Sequence, residues 1–534
     1  MRNIKLLFSS LLLGAISFCA FGGQTDTLRI TIQKNEKWYG GFVADGHKAP
    51  FKMGYRANQL GDNNDNQVQP LLVSNLGSYI WCDDPIGYEF KQGTLQVFSS
   101  GSKIQMVQTG TNLKGACLSA AKSHFPPSGK MPDDLLFAKP QYNTWIELIY
   151  DQNEKDIEAY AQKIIDNGYP AGVLMIDDNW QEDYGVWEFK AETFKDPKGL
   201  INKLHAQGFK VMLWVCPFVS PDSYLYRQLR DKGLFLKNAE TPDQPLMVAW
   251  WNGYSALLDF TNPDAVKWFE GQLKGLQEKY GVDGFKLDAG DFYQYPMGKY
   301  ISHVEGTSPN EHSELYAKIG LNFKLNEYRA CWKMGNQPLA QRLKDKRFEW
   351  EDLQTLIPDL LTQGLIGYPF ACPDLIGGGH YISFLNLDHI DQELIVRSAQ
   401  IHALLPMMQF SLAPWRVLDT EHQELCKQAA LLHAKFGSYI LQLANYAAQT
   451  GEPIARHLEY EFPNQGFSDI NDQFMLGDKY LVAPVIEKGA ISRLVALPTG
   501  KWKSDTGQIF KGGQTIQIDV PLSRLPYFER ITSK

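Results

Sequence analysis

The chain has 534 residues, of which 44% are hydrophobic, 13% aromatic and 21% charged. This composition can bury enough apolar surface to offset the entropy of ordering, so it excludes fibrous and disordered proteins and predicts a large domain with one or two satellites. The net charge of −8 and the lack of a basic run argue against nucleic acid as a partner.

The first 23 residues are typical of a secretory signal peptide. Two basic residues precede the apolar stretch 6–21, which ends in small residues and predicts cleavage after Gly22 or Gly23. No later segment has the roughly 18 to 20 continuous apolar residues of a membrane helix, since 403–415 is too short. We therefore expect an exported protein, periplasmic or secreted, without a membrane span.

Six cysteines follow the predicted leader, and they show no CxxC or zinc-like spacing. Cys216 and Cys372 lie in strand-like segments, which is typical of buried thiols. An even number of cysteines in an exported protein permits a disulfide, with Cys82 and Cys117 as the candidate pair, although the sequence leaves the pairing open.

Strand and turn patterns give way to an alternation of strands and helices along the chain. Residues 24–140 alternate apolar and polar positions between Gly, Asn and Asp clusters, which predicts an N-terminal β-sandwich. Over 141–413 the alternation, without a Gly-rich phosphate loop, predicts a (β/α)8 TIM barrel rather than a doubly wound sheet. Its strands are predicted at 145–150, 172–177, 210–216 and 284–288, and its helices at 154–167, 197–207 and 264–280.

The last part of the chain returns to β structure. A helical connection is predicted for 414–450, with its helix at 421–448. Residues 451–534 contain short β segments around Gly-rich turns, which predicts a C-terminal β domain. The predicted fold class is therefore α/β: a TIM barrel flanked by an N-terminal β-sandwich and a C-terminal β domain.

Acidic residues follow several predicted barrel strands, at the end where a TIM barrel carries its catalytic groups. Asp177 and Asp178 end one strand, Asp288 ends another, and Asp345 lies in a later loop. A single Asp after a strand is as often a turn or helix-capping residue, but two such acids are harder to explain that way. Lys286 lies on the same strand face as Asp288, and a cation there would keep a nucleophilic carboxylate ionised.

This pair of acids suits the hydrolysis of a glycoside. Retaining glycoside hydrolysis needs an ionised nucleophile and a second carboxyl group, protonated at first, about 5 to 5.5 Å away. Asp288 is the candidate nucleophile and Asp345 the candidate acid.

Four motifs together resemble glycoside hydrolase family 31, and the resemblance covers 145–530. They are MIDDNW, ALLDFTNPDAVKWF, GVDGFKLDAGD and YLVAPVIEKGAISRLVALPTGKW. The segments WNGY, FKLDAGD and PMMQFSLAPWR are most similar to the α-galactosidase branch of the family. The resemblance implies a retaining, exo-acting enzyme that works by two displacements at the anomeric carbon.

The resemblance also implies roles for individual residues. Asp288 matches the family's nucleophile, and Asp345, in LKDKRFEWEDL, matches its acid/base. Arg329 matches an arginine that contacts sugar hydroxyls, and Trp251 matches the tryptophan that walls the sugar site. Without the family motif, a surface salt bridge would be the simpler interpretation of Arg329, and core packing that of Trp251.

Three further acids are implied to bind the sugar. Asp177 matches the family aspartate that binds sugar hydroxyls, and Asp178 is its neighbour. Asp83, in SYIWCDDP, is assigned to a loop of the N-terminal domain that reaches the site.

Two departures from the family's α-glucosidase pattern favour galactose. Lys286 stands where the glucosidases carry Trp, and 408–411 read MQFS where they carry an Arg-Asn-His segment. Some of the polar side chains that recognise an equatorial 4-hydroxyl in the glucosidases are therefore absent. IDDNW and KLD resemble elements of α-galactosidase families 27 and 36, in which paired acids and a lysine bind galactose. We expect an α-linked galactoside oligosaccharide or glycan as substrate, with α-glucosidase and α-N-acetylgalactosaminidase as alternatives.

The sequence predicts no metal or organic cofactor. Its 11 His show no HExxH or facial-triad spacing, and the chain has no GxSxG, Walker or GxGxxG motif. The GGGH segment, 377–380, is expected to form a flexible loop near the site, with His380 incidental to the chemistry.

Two neighbouring carboxylates resist double ionisation, so the pKa of Asp345 is expected to be raised and the pH profile to be bell-shaped and mildly acidic. A non-catalytic carbohydrate-binding protein is the alternative from another class, although it would gain nothing from the acid pair. A glucan lyase would share Asp288 as nucleophile, and the sequence leaves this alternative open.

Overall fold

The computed structural model describes residues 26–385, 387 and 389–531. The predicted signal peptide, 1–23, lies outside the described residues. Within the described part of the chain, no helix combines the length and the apolar character needed to cross a membrane.

Two antiparallel sheets pack face to face at the N-terminal end. Trp38, Ile80 and Val97 lie in the apolar core between them. Helix Leu113–His124, which the sequence analysis did not predict, covers the second sheet. In spatial order the first sheet contains Asp26–Thr31, Thr94–Ser99, Ile86–Lys91 and Arg56–Asn58, and the second contains Trp38–Phe42, Gln67–Ser74, Ser78–Trp81 and Gln105–Gln108.

The candidate pair Cys82 and Cys117, which the sequence left open, does not form a disulfide, because both are free thiols. Cys82 lies in the core between the two sheets, whereas Cys117 lies on helix Leu113–His124 and faces the core that continues into the barrel. The two side chains therefore enter different cores.

Eight short parallel strands form the barrel. The first strand pairs with the second and the eighth, and each later strand pairs with its successor as far as the seventh. Ile376 N donates to Gln409 O at 2.9 Å, which links the segment after the seventh strand to the eighth. This arrangement confirms the predicted fold class. In chain order the strands are Gln141–Asn143, Val173–Ile176, Lys210–Val215, Gly284–Leu287, Leu325–Tyr328, Gln341–Arg342, Ala371–Cys372 and Gln409–Phe410.

The strand predicted at 145–150 is wrong, because the first barrel strand ends at Asn143. The Asn143 side-chain oxygen accepts a hydrogen bond from Trp145 N at 2.7 Å. This contact turns the chain out of the sheet, and Trp145–Leu148 forms a single helical turn.

The outer helices begin at capping residues. Asn153 accepts a hydrogen bond from Asp156 N, and Asn262 accepts one from Asp264 N, so each satisfies a backbone N–H that the first turn leaves free. Helix Pro263–Tyr280 ends at Gly281, whose φ of 84° favours glycine. The barrel helices are Glu154–Asp166, Pro197–Ala206, Tyr224–Asp231, Pro263–Tyr280, Pro309–Ile319, Trp350–Leu365 and Gln392–Ala403.

Shorter elements connect the main ones. Small sheets pair Gln181–Asp183 with Val186–Phe189, Lys237–Asn238 with Tyr300–Ile301, and Gly253–Leu257 with both Phe218–Val219 and Met247–Trp250. One-turn helices are Leu135–Ala138, Trp145–Leu148, Pro414–Val417 and Leu458–Glu461, and 3-10 turns are Val43–Lys48, Phe292–Gln294, Gly320–Asn322 and Tyr381–Phe384.

A long helix, Thr420–Thr450, connects the barrel to a C-terminal β domain. The buried Arg397 guanidinium, on the last barrel helix, donates to the carbonyls of Val520 and Arg524 and so ties the two domains together. One sheet contains, in spatial order, Ala455–Arg456, Phe474–Leu476, Tyr480–Val482, Tyr527–Ile531, Lys501–Ser504 and Ile509–Lys511, and a second pairs Ser492–Leu497 with Gln514–Asp519.

One strand of the barrel segment also joins the N-terminal part. Cys331–Trp332, just after the fifth barrel strand, pairs in parallel with the start of Gln67–Ser74. This pairing fixes the preceding loop, 63–66, at the carboxyl ends of the barrel strands.

Candidate active site

Asp288 follows the fourth barrel strand and is surrounded by hydrogen-bond donors and cations. Trp214 Nε1 donates to Asp288 Oδ2 at 2.9 Å, Lys286 Nζ lies 3.8 Å from the same oxygen, and Arg329 Nε lies 3.5 Å from Oδ1. Burial alone would raise the pKa of Asp288, but these cations and Arg342 lower it well below the usual range. Asp288 is therefore an ionised carboxylate. Its Oδ1 accepts no hydrogen bond from the described residues.

Lys286 connects Asp288 to Asp177 at the end of the second strand. Its Nζ lies 2.9 Å from Asp177 Oδ2, which also accepts a hydrogen bond from Asn143 Nδ2 at 2.8 Å. Burial would lower the pKa of Lys286, but the charges of Asp177 and Asp288 outweigh it and raise the pKa. A buried ammonium group thus lies between two carboxylates and can orient their oxygens toward a ligand.

Asp178 points to a different set of partners. Asn252 Nδ2 donates to its Oδ2 at 2.7 Å, and the Tyr184 hydroxyl donates to Oδ1 at 3.2 Å. Burial and the charge of Asp177 raise the pKa of Asp178 to about 7. Near neutral pH this carboxyl group can therefore either donate a hydrogen bond to a hydroxyl or accept one.

Trp251 and Arg329 come together at the mouth of the barrel. Trp251 lies at the turn between Met247–Trp250 and Gly253–Leu257, and 43% of its surface is exposed. The Arg329 guanidinium lies 5.4 Å from its ring centroid and forms an ion pair with the buried Asp291. Trp251 is thus not a core residue, and Arg329 is not part of a surface salt bridge.

Asp345 follows the sixth strand, and 38% of its side chain is exposed. Arg342 Nη1 donates to Asp345 Oδ1 at 2.8 Å. Burial would raise the pKa of Asp345, but Arg342, Arg329 and Lys286 outweigh it and lower the pKa. The expected raised pKa of Asp345 is therefore wrong, because the sequence did not reveal that Arg342 pairs with Asp345.

The buried Asp374 is a second partner of Arg342 that the sequence analysis missed. Arg342 Nη1 also donates to Asp374 Oδ1, and Lys346 N and Gly379 N donate to Oδ2 at 2.6 and 2.7 Å. Burial, opposed by Arg342, raises the pKa of Asp374 to about 6. Asp374 follows the seventh strand, whose two residues are too few to show a strand pattern.

The GGGH segment lies against this acid pair. A Cβ at Gly379 would come within 2.7 Å of both Asp345 Oδ1 and Asp374 Oδ1, so a side chain there would displace at least one of these carboxylates. Trp145 Nε1 donates to the Gly379 carbonyl at 3.2 Å. His380 Nδ1 instead pairs with Ser383 Oγ at 2.8 Å.

The described contacts of Asp83 join it to no other predicted site residue. Asp83 is exposed, and its carboxylate accepts a hydrogen bond from Trp81 Nε1 at 2.9 Å. The N-terminal loop that reaches the site is 63–66: Asn63 Nδ2 donates to Asp291 Oδ1 at 2.8 Å, and Asn64 Oδ1 accepts from Lys344 Nζ at 3.1 Å. In the sequence this loop is only a turn-rich GDNNDN cluster.

Comparison with known families agrees with this geometry. The family described as "Glycosyl hydrolases family 31 TIM-barrel domain" matches residues 135–443, and "Glycosyl hydrolase family 31 C-terminal domain" matches 451–533. The chain belongs to glycosyl hydrolase family 31. This confirms the family that the sequence motifs predicted.

Two similar proteins are each more than 30% identical to this chain over the matched residues. The mouse myogenesis-regulating glycosidase is 34% identical over 421 residues, which cover 76% of this chain and 58% of that protein. The SITS-binding protein of Tetronarce californica is 31% identical over 345 residues, which cover 61% of this chain and 48% of that protein. The chain therefore spans about half the length of these relatives. The match with the first of them supports a position near that glycosidase within family 31.

A solved family 31 structure shows the same fold. A Flavobacterium johnsoniae GH31 dextranase complexed with glucose superposes with a TM-score of 0.84 and 21% identity, over 95% of this chain and 67% of that chain. At this identity the likeness concerns the fold alone.

Polar side chains on and just after the last barrel strand form hydrogen bonds within the protein. Gln409 Nε2 donates to Glu327 Oε2 at 2.9 Å and to Gln141 Oε1 at 3.2 Å, both inside the barrel. Ser411 Oγ accepts a hydrogen bond from Ile146 N at 2.7 Å. These polar groups are used within the protein. In the described residues, no group of three or more His, Cys, Asp or Glu is placed to hold a metal ion.

Proposed function

We propose that this chain is a retaining, exo-acting α-galactosidase that releases a terminal galactose from an α-linked oligosaccharide or glycan. The observation that carries the proposal is the buried Lys286 ammonium between Asp177 and Asp288. It gives the floor of the site a cation and two carboxylates, groups that hydrogen-bond sugar hydroxyls in fixed directions.

The mechanism follows from the two differently placed carboxylates. Asp288 Oδ1 attacks the anomeric carbon while Asp345 gives a proton to the leaving oxygen, so the glycosidic bond breaks and a galactosyl ester forms. Asp345 then takes a proton from water as the water attacks the same carbon and releases Asp288. Two inversions retain the α configuration.

Galactose is favoured over glucose because of where the polar groups lie. Lys286, Asp177 and Asp178 cluster on the second and fourth strands. The eighth strand offers no comparable group, because Gln409 is engaged with Glu327 inside the barrel. A site whose polar groups match one hydroxyl orientation disfavours the epimer, whose hydroxyl would leave those groups unpaired.

The proposal is tested by incubating the protein with aryl α-galactoside and aryl α-glucoside side by side, with Asp288→Asn as the blank. We expect release from the galactoside only and its loss in the variant. Turnover of the glucoside alone would contradict the choice of galactose while keeping the mechanism. Release of an unsaturated product would identify a lyase, and silence on all substrates, including N-acetylgalactosaminides, would favour a carbohydrate-binding protein.

The pH profile tests the acid/base role of Asp345. Asp345 must be protonated to act as an acid, so the basic limb of kcat/KM against pH follows its pKa. Arg342→Gln removes the adjacent cation, and we expect this limb to move up by about 1 to 3 pH units. The measurement is the profile on an aryl α-galactoside.

A matched change at Asp374 is expected to act in the opposite direction. Asp374→Asn removes a negative charge and leaves Arg342 to Asp345, so the basic limb is expected to move down. The shift is expected to be smaller than that of Arg342→Gln. Asp374 has a pKa of about 6, so it is partly neutral near that pH, and its replacement removes less than a full charge. Shifts of the same sign in both variants would contradict the assignment, since general loss of structure does not produce opposite shifts.

A further inference from the structure

An open cavity of about 370 Å³ lies beside the proposed sugar site. One wall is the strand Met247–Trp250, and the other is the segment from Tyr293 to Pro296. Asn238, from the small sheet formed by Lys237–Asn238 and Tyr300–Ile301, borders it as well. The volume falls within the roughly 300 to 1,000 Å³ of small-molecule sites. We call this cavity the side groove.

Each wall of the side groove is followed or preceded in the chain by a residue that contacts Arg329. On one side, Trp251 directly follows the strand wall, and its ring lies 5.4 Å from the Arg329 guanidinium. On the other side, Asp291 pairs with Arg329 and begins the turn that carries Tyr293. Arg329 contacts Asp288, and its charge also helps to lower the pKa of Asp345, the proposed proton donor to the leaving oxygen, so the side groove begins beside both carboxylates.

Tyr293 stands at this junction and presents its ring to solvent. It is 52% exposed, which is high for a large aromatic residue. Burial of its hydroxyl and the charge of Asp291 raise the Tyr293 pKa, so the hydroxyl stays neutral and can donate or accept hydrogen bonds.

The lining combines apolar faces with polar groups of both signs. Tyr293, Met247 and Pro296 supply apolar surface. Glu240 and Lys299, both exposed, supply one negative and one positive charge. The balance of charge favours a neutral ligand, and the mix of donors, acceptors and flat surface suits one with many hydroxyls and an apolar ring face.

We propose that the side groove binds the part of the leaving group beyond the sugar attached to the scissile bond. The enzyme would then prefer α-glycosides whose leaving group is an oligosaccharide over those that carry a single sugar. This inference rests on the proposed glycosidase function and adds the class of leaving group to it.

Blocking the side groove tests the inference without removing any of its contacts. Ala249 is exposed on the groove wall, opposite Tyr254 on the neighbouring strand, and an antiparallel hairpin accepts a tryptophan at such a position. Ala249→Trp is therefore the blocking variant. Ala191→Trp is the matched control, because Ala191 is exposed on a separate turn whose Lys195 N binds Glu154.

Three substrates distinguish the effect of binding in the side groove from the effect of bond cleavage. α-Galactosyl fluoride has no leaving-group sugar, the best of a panel of linkage-isomeric galactosyl disaccharides has one, and the matching trisaccharide has two. We expect wild-type kcat/KM to be about tenfold higher for the trisaccharide than for the disaccharide, the gain from one or two hydrogen bonds. Ala249→Trp is expected to remove this gain, and Ala191→Trp to keep it. All three proteins are expected to hydrolyse the fluoride equally, with unchanged melting temperatures.

Other outcomes overturn the inference and are distinct from failure of the proposed function. Equal kcat/KM for the two oligosaccharides in the wild type, or a gain that persists in Ala249→Trp, would overturn it. If the wild type hydrolyses glucosyl fluoride but not galactosyl fluoride, the choice of galactose fails, and the same comparison is made with glucosides. Inertness toward every glycosyl fluoride would overturn both proposals.

Discussion

Replacing Asp288 with alanine is expected to lower kcat/KM on aryl α-galactosides by about 10⁴-fold or more, because no group remains after the fourth strand to attack the anomeric carbon. Azide is expected to restore turnover, since it is small enough to enter the space that the carboxylate leaves. It would attack from the face that Asp288 occupies, while Asp345 still protonates the leaving oxygen. The expected product is therefore β-galactosyl azide, which NMR distinguishes from the α anomer.

Trp214→Phe is the matched control for this experiment. It removes the hydrogen bond to Asp288 Oδ2 but keeps the carboxylate and its cations. We expect a loss of about 10- to 100-fold, the range for a hydrogen bond to a charged group, and no azide product. Activity of Asp288→Ala close to that of the wild type would contradict the assignment of the nucleophile.

A strong local pattern marks two of the site residues that the sequence predicted. Asp177 and Asp288 directly follow apolar strands of four residues, Val173–Ile176 and Gly284–Leu287, so their place at the carboxyl end of the barrel could be predicted. Arg342 ends a strand of only two residues, and Asp374 follows another strand of two residues. Such strands are defined by their neighbours in the barrel, and no local pattern marks them.

Other features of the site could not be predicted because they depend on contacts that the sequence does not show. The choice between Asp83 and the 63–66 loop depends on Cys331–Trp332, which pairs with a strand more than 250 residues earlier. Both candidates follow or precede β-strands with similar turn residues, so local physics does not separate them. The lowered pKa of Asp345 was missed because the sequence does not show that Arg342, three residues earlier, points toward Asp345, or that Arg329 and Lys286 lie nearby.

Replacing Asp345 with alanine is expected to slow cleavage of galactosyl oligosaccharides by about 10²- to 10⁴-fold, because their leaving oxygen then departs without a proton. α-Galactosyl fluoride is expected to lose less in the first step, since fluoride leaves without protonation. The second step is also slowed, because no base activates water. The galactosyl ester on Asp288 is therefore expected to accumulate, and intact-protein mass spectrometry would detect it.

Azide is expected to give a different product with Asp345→Ala than with Asp288→Ala. It needs no base, so it is expected to accelerate turnover of the fluoride by Asp345→Ala and to attack the ester from the face opposite Asp288. The product is then α-galactosyl azide. Asp345→Asn is the companion variant, because its amide keeps an oxygen that can accept from Arg342, and we expect the same azide anomer from it.

Opposite anomers from the two alanine variants would assign the carboxylates to opposite faces of the sugar. This result does not depend on how much activity each variant loses, so partial misfolding cannot imitate it. The β azide from Asp345→Ala would contradict the acid/base role, since it would mean that azide, rather than Asp288, displaces the leaving group. A carbohydrate-binding protein would form neither azide, because it would never break the glycosidic bond.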